Sequence, residues 1–96
     1  MYRRPFLETV KLIDVYIQEW LHINEIEEAK PKDVMPYLVE KSVFAKDHSM
    51  GLRLREVLRE LDSINCLHLI RGVRVVRQKS NRQWFLRRVK FKNKGC

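Results

Sequence analysis

The segment Gly51–Leu67, GLRLREVLRELDSINCL, places Leu54, Val57, Leu58 and Leu61 at i, i+3, i+4 and i+7. That spacing is one apolar stripe of an α-helix, and it predicts a helix over Ser49–Ile64. At 100° per residue the opposite face carries Leu52, Arg55, Glu56, Arg59 and Ser63, with Arg53 on its flank. Asp47 or Ser49 is placed to cap the N-terminus, and Gly51 near the start costs a little helix propensity. A helix that buries four aliphatic side chains and turns arginines outward has one face for a core and one for a partner.

Beyond this helix the pattern changes period. Leu67–Arg77 is rich in Val, Ile and Leu, and Arg82–Phe91 carries Trp84, Phe85, Leu86, Val89 and Phe91. Turn-prone residues fill Gln78–Asn81 between them, which predicts two strands joined as a hairpin. Lys90–Cys96 reads as a basic, flexible tail. Before the helix, Pro31–Phe44 repeats Val34, Met35, Leu38, Val39 and Val43 at helical spacing, with Asp33 as N-cap and Pro36 in the first turn. Asn24–Lys30, with Glu25, Glu27 and Glu28, reads as a linking turn. Pro5–Ile23 forms a first helix with Phe6, Val10, Ile13, Ile17, Trp20 and Leu21 at helical spacing, and Leu12, Val15, Tyr16 and Ile23 widen the stripe. So wide an apolar arc belongs to a helix central to the core or packed on a second subunit. It predicts a homodimer contact through this helix, near Val10, Tyr16 or Trp20.

The architecture expected is therefore mainly α with a small antiparallel β-hairpin, in one domain spanning residues 1–96. A chain of 96 residues has room for a single modest core. Its 45% apolar content argues against disorder, and only three Gly and three Pro leave helix dominant. The charge is uneven. Residues 1–50 hold seven basic and nine acidic side chains, whereas residues 51–96 hold thirteen basic and three acidic. A polyanion would meet the second half, because clustered Lys and Arg that neutralise phosphates supply most non-specific nucleic-acid affinity. Two cysteines, Cys66 and Cys96, make no disulfide framework and suit a reducing compartment. No uncharged apolar run reaches membrane-spanning length, and Glu8, Lys11 and Asp14 interrupt any signal-peptide core. These features predict a cytoplasmic protein, nucleoid-associated if bacterial.

The order helix, helix, helix, hairpin resembles the winged helix-turn-helix family of DNA-binding domains. Three stretches carry the resemblance: DVMPYLVEKSVF (Asp33–Phe44) as the second helix and its turn, Gly51–Leu67 as the recognition helix, and IRGVRVVRQKSNRQWFLRR (Ile70–Arg88) as a two-stranded wing. Ser42 stands where Gly is common in the family, and the link Val43–Met50 is longer than its tight turn. The resemblance implies that the third helix enters the major groove of double-stranded DNA. Arg55 and Arg59, one turn apart, would then reach base edges or phosphates, flanked by Arg53 and Ser49. Arg74, Arg77, Lys79 and Arg82, with Asn81, would lay the hairpin along the backbone. Arg87, Arg88, Lys90, Lys92 and Lys94 extend the positive field. A small transcriptional regulator or a mobile-element or phage accessory protein fits this reading. Two alternatives stand beside it. In one, the same fold is a protein-interaction module for an acidic partner. In the other, Trp84 and Phe85 stack on the bases of RNA or single-stranded DNA.

Enzymatic chemistry finds no support in the residues. His22, His48 and His68 are scattered, Cys66 and His68 form a metal pair without a second pair, and the three glycines are isolated from any phosphate-cradling loop. No catalytic residue, cofactor, metal or small-molecule ligand is expected.

Overall fold

Leu54, Leu58 and Leu61 are fully buried in the computed structural model, which describes residues 6–45, 51–79 and 81–89. Val57 is only half-buried, because it lies at the edge of the stripe that the three leucines centre. In chain order the elements are α1 (Phe6–Ile23), β1 (Glu28–Ala29), α2 (Pro31–Glu40), α3 (Leu52–Ser63), a 3₁₀ turn (Leu67–Leu69), β2 (Val73–Arg77) and β3 (Arg82–Arg87). The architecture is mainly α with a small antiparallel sheet. Pro5, Asp47, Ser49 and the tail from Lys90 lie outside the described residues.

On α1 the middle of the apolar arc is buried, whereas Val15 and Ile23, which widen it, are exposed, and α2 is the helix that packs on both of the others. Val10, Ile13, Ile17 and Leu21 are buried against Val34, Met35 and Leu38 of α2 and the leucines of α3 within one core. Val10 is thus a core residue and has no surface to give to a dimer contact, while Tyr16 and Trp20 are half-buried. Tyr16 meets Tyr37 of α2 edge to face at 6.2 Å, and Lys41 Nζ caps both rings at 5.9 and 5.3 Å. The Tyr37 hydroxyl donates to Glu19 Oε1 at 2.9 Å. Partial desolvation and that carboxylate push its pKa up to about 12.

The helix ends depart from expectation in instructive ways. Asp33 is not the N-cap of α2. It sits three residues inside the cap, and its carboxylate accepts from the backbone N–H of Lys30 at 2.9 Å. Pro36 falls in the second turn rather than the first, so the helix lacks one internal hydrogen bond there. The helix stops at Glu40, short of the expected Phe44, because Ser42 turns left-handed at φ 63° while Val43 donates back to Leu38. This is the position where Gly is favoured. Gly51 caps α3 at φ 91°, and a Cβ there would lie 2.8 Å from the backbone nitrogen of Lys32.

The sheet has three strands, not two, in the order β1-β3-β2, antiparallel throughout. The stretch read as a linking turn supplies β1, with Glu28 opposite Arg87 and Ala29 opposite Leu86. The strand expected from Leu67 begins only at Val73, since Leu67–Leu69 winds into the 3₁₀ turn. Between them Gly72, at φ 79°, passes so close to β3 that a Cβ would lie 2.1 Å from the Arg87 carbonyl oxygen. Gln18 of α1, 1% exposed, ties this junction to the helices. Its amide donates to the carbonyls of Arg71 (3.2 Å) and Arg87 (3.0 Å), and its oxygen accepts from Val89 N–H at 3.0 Å. All of its hydrogen-bonding capacity that faces the core is met, as a buried amide requires.

Candidate nucleic-acid interface

Strand parity decides which hairpin cations meet α3. Val73 pairs with Leu86, Val75 with Trp84 and Arg77 with Arg82, so these six side chains share one face of the sheet. Leu86 and Trp84 bury that face against the helices. Arg77 and Arg82 carry it beyond the core to the last turn of α3. There Asp62 accepts from Arg77 Nη1 and Nη2, both at 2.8 Å, and forms an ion pair with Arg82, whose Nε lies 3.3 Å away. The Arg77 guanidinium holds the Asp62 carboxyl below the usual carboxylate range, reinforced by the charge of Arg82, against the opposing effect of partial burial.

These contacts set the hairpin as one wall of a cleft whose other wall is α3. Arg55 and Arg59 line the helix side, Arg77, Lys79 and Arg82 the hairpin side, and Trp84 lies at the base; the space measures about 750 Å³. Gln78 and Asn81 complete the rim and close the turn, with Gln78 N–H donating to the Asn81 carbonyl at 2.8 Å. No acidic side chain lines the space. Arg59 and Lys79 are not ion-paired among the described residues.

The structure therefore gathers Arg55, Arg59, Arg77, Lys79, Asn81 and Arg82 at one place. It separates two others from them. Arg74 pairs with Phe85, and both point to the opposite face of the sheet. Its guanidinium stacks 5.0 Å from the Phe85 ring centroid and lies 3.7 Å from Glu28. Arg53 stays on the flank of α3, 3.9 Å from Glu56. Ser49 lies outside the described residues. Arg55 and Arg59 line the wall that faces the hairpin, and Arg59 also borders the crest of α3. The line opposite the buried leucines runs through Leu52, Glu56 and Ser63, and Glu56, Arg59, Glu60 and Ser63 surround a shallow depression there. Trp84, 3% exposed, is held in the core and has no face to offer a base.

Asp62 was not legible as a site residue, although the signal was present. At 100° per residue it lies within about 60° of Arg55 and Arg59 on the same flank. Its partners came from strand register, which helical spacing does not carry. Other cations in and beside the sheet are also paired: Glu28 lies 3.7 Å from Arg74 and 3.8 Å from Arg87, Glu27 pairs with Arg88, and Asp14 pairs with Arg71 at 3.1 Å. Among the described residues no group of three or more His, Cys, Asp or Glu is placed to hold a metal. Nor is any described helix long and apolar enough to cross a membrane.

Comparison with known proteins finds no counterpart: no family model matches this chain, and no curated protein or solved structure matches it beyond chance.

Proposed function

We propose that this chain is a nucleic-acid-binding module of winged-helix type, whose cleft between α3 and the hairpin receives the sugar-phosphate backbone of double-stranded DNA while α3 lies along the major groove. One observation carries the reading. Five basic side chains surround a single concavity whose lining holds no carboxylate, and Asp62, which pairs with Arg77 and Arg82 from outside that lining, is one negative charge against the five. Clustered guanidinium and ammonium groups in excess over carboxylates in a concave site gain most from phosphodiesters, by hydrogen bonding and by release of condensed counterions. The element order, three helices with a hairpin directly after the third, is compatible with the winged-helix frame. Glu56 and Glu60 at and beside the crest of α3 oppose a phosphate there, which leaves the cleft as the backbone's seat.

The test is a fluorescence-anisotropy titration of a labelled 20-base-pair duplex across a salt series, with single-stranded DNA and RNA of equal length as separate arms. The expected result is tight, salt-dependent binding to the duplex, weakened in Arg59→Gln and in Lys79→Gln. No binding by the unmodified protein at the lowest salt overturns the proposal. Preference for either single strand replaces duplex DNA with that ligand.

A further inference from the structure

The basic cleft does not end at α3. A second concavity of about 180 Å³ is lined by Lys30, Pro31, Lys32, Arg55, Arg82, Gln83 and Trp84. It shares Arg55, Arg82 and Trp84 with the first, so the two adjoin at the pair of arginines that both of them use. We infer that Lys30 and Lys32, at the start of α2, form a second phosphodiester subsite, and that the nucleic-acid backbone runs across the molecule from Lys79 at the hairpin tip, past Arg82 and Arg55, to these two lysines.

Lys30, Lys32, Arg55 and Arg82 are the charged residues of the second concavity, and no acidic residue lines it. Neither lysine is ion-paired among the described residues. The nearest acidic neighbour in sequence, Asp33, is committed to the backbone N–H of Lys30. The amide at that end of α2 is therefore already satisfied, and the subsite is made by the ammonium groups rather than by the helix terminus. Lys30 Nζ lies 6.0 Å from the ring centroid of Phe85, which faces away from the cleft, so this lysine borders the second concavity from the far side of the sheet. Gly51 keeps α3 against the first turn of α2, where any side chain would strike the backbone of Pro31 and Lys32. This close approach sets Lys32 beside Arg55. Arg82 stands at the junction: its Nε is engaged by Asp62, and it lines both spaces. Ammonium groups suit phosphodiesters as non-directional point charges, so this end of the track binds without reading sequence.

The inference rests on the nucleic-acid reading of the cleft, and its test separates the two. Lys30 and Lys32 are exposed, so Lys30→Gln/Lys32→Gln should fold as the unmodified protein does, checked by thermal melting. Its affinity for a 20-base-pair duplex is measured from 50 to 300 mM salt beside the unmodified protein, Lys79→Gln and a charge-retaining Lys30→Arg/Lys32→Arg variant. Each lost phosphate contact lowers the slope of log affinity against log salt by about 0.9. The double Gln variant is expected to lose nearly two units of slope and about tenfold or more in affinity at 100 mM salt, and the Arg variant to retain the slope. If Lys79→Gln lowers the slope and the double Gln variant does not, the subsite is wrong and the cleft reading stands. A loss of affinity with unchanged slope also overturns the subsite, since it removes no phosphate contact. Absence of binding by the unmodified protein removes both.

Discussion

At the scale of single residues, Asp62 is the hinge of the candidate interface, because one carboxylate positions two arginines from two strands. Its side chain is only 10% exposed, and its carboxyl titrates below the unfolded value near 3.9. A carboxylate depressed in the folded state adds stability above its unfolded pKa and loses that contribution as pH falls through its folded one. Asp62→Asn should therefore melt a few degrees below the unmodified protein at pH 7, with the gap closing below about pH 4. A gap that persists unchanged at pH 3 would mean that the ion pairs are not its cause. Gly72 is the second residue on which the frame depends. Its backbone is left-handed, and a methyl group there would lie 2.1 Å from the Arg87 carbonyl oxygen, which leaves no room for one. Gly72→Ala should cost roughly 2 kcal/mol or more in urea unfolding. An unaltered midpoint would show that the two strand ends do not meet as described.

At the scale of elements, α3 is divided lengthwise into a buried stripe and a basic flank. Leu58→Ala should destabilise by about 2–5 kcal/mol, and Val57→Ala by clearly less, because only the first side chain is wholly enclosed. Equal losses would mean that the helix is rotated about its axis. The end of α2 gives a prediction of opposite sign. Ser42 adopts φ 63° with the hydrogen bonds of a helix-terminating turn already formed. Ser42→Gly should stabilise the fold by about 0.5–1 kcal/mol, since glycine adopts this conformation without the Cβ penalty. A destabilised variant would show that the serine hydroxyl, rather than the backbone turn, closes the helix.

For the molecule as a whole, the excess of basic over acidic side chains distinguishes one face from the rest. Acidic residues concentrated in the first half of the chain return in three dimensions to neutralise parts of the second. Asp14, Glu27 and Glu28 pair with Arg71, Arg88, Arg74 and Arg87. Excess positive charge is thereby left on the track from Lys79 to Lys32. With five or six phosphates engaged along it, the salt slope for duplex binding should be about −5, a loss of roughly a thousandfold in affinity between 50 and 200 mM salt. A slope near −1 would indicate a single-point contact and no track.

The three helices, the core stripe of α3, the hairpin and the excess of cations in the second half were all legible in the sequence. Each is carried by local periodicity, turn chemistry or composition, and none depends on a distant partner. Tertiary structure alone decided the rest. The two-residue strand Glu28–Ala29 has no local signature and exists because the edge of β3 offers it unpaired backbone groups. Arg74 and Arg77 look alike in the sequence, yet strand parity sends one to the Phe85 face and the other to Asp62. Lys30 ends a stretch that reads as an acidic turn and Lys32 belongs to the first turn of α2, and only the packing of α2 on α3 brings both to the concavity that Arg55 lines. The physical reason is common to all three: an element's own period tells which side chains share a face, but only its register and packing against other elements tell what that face meets.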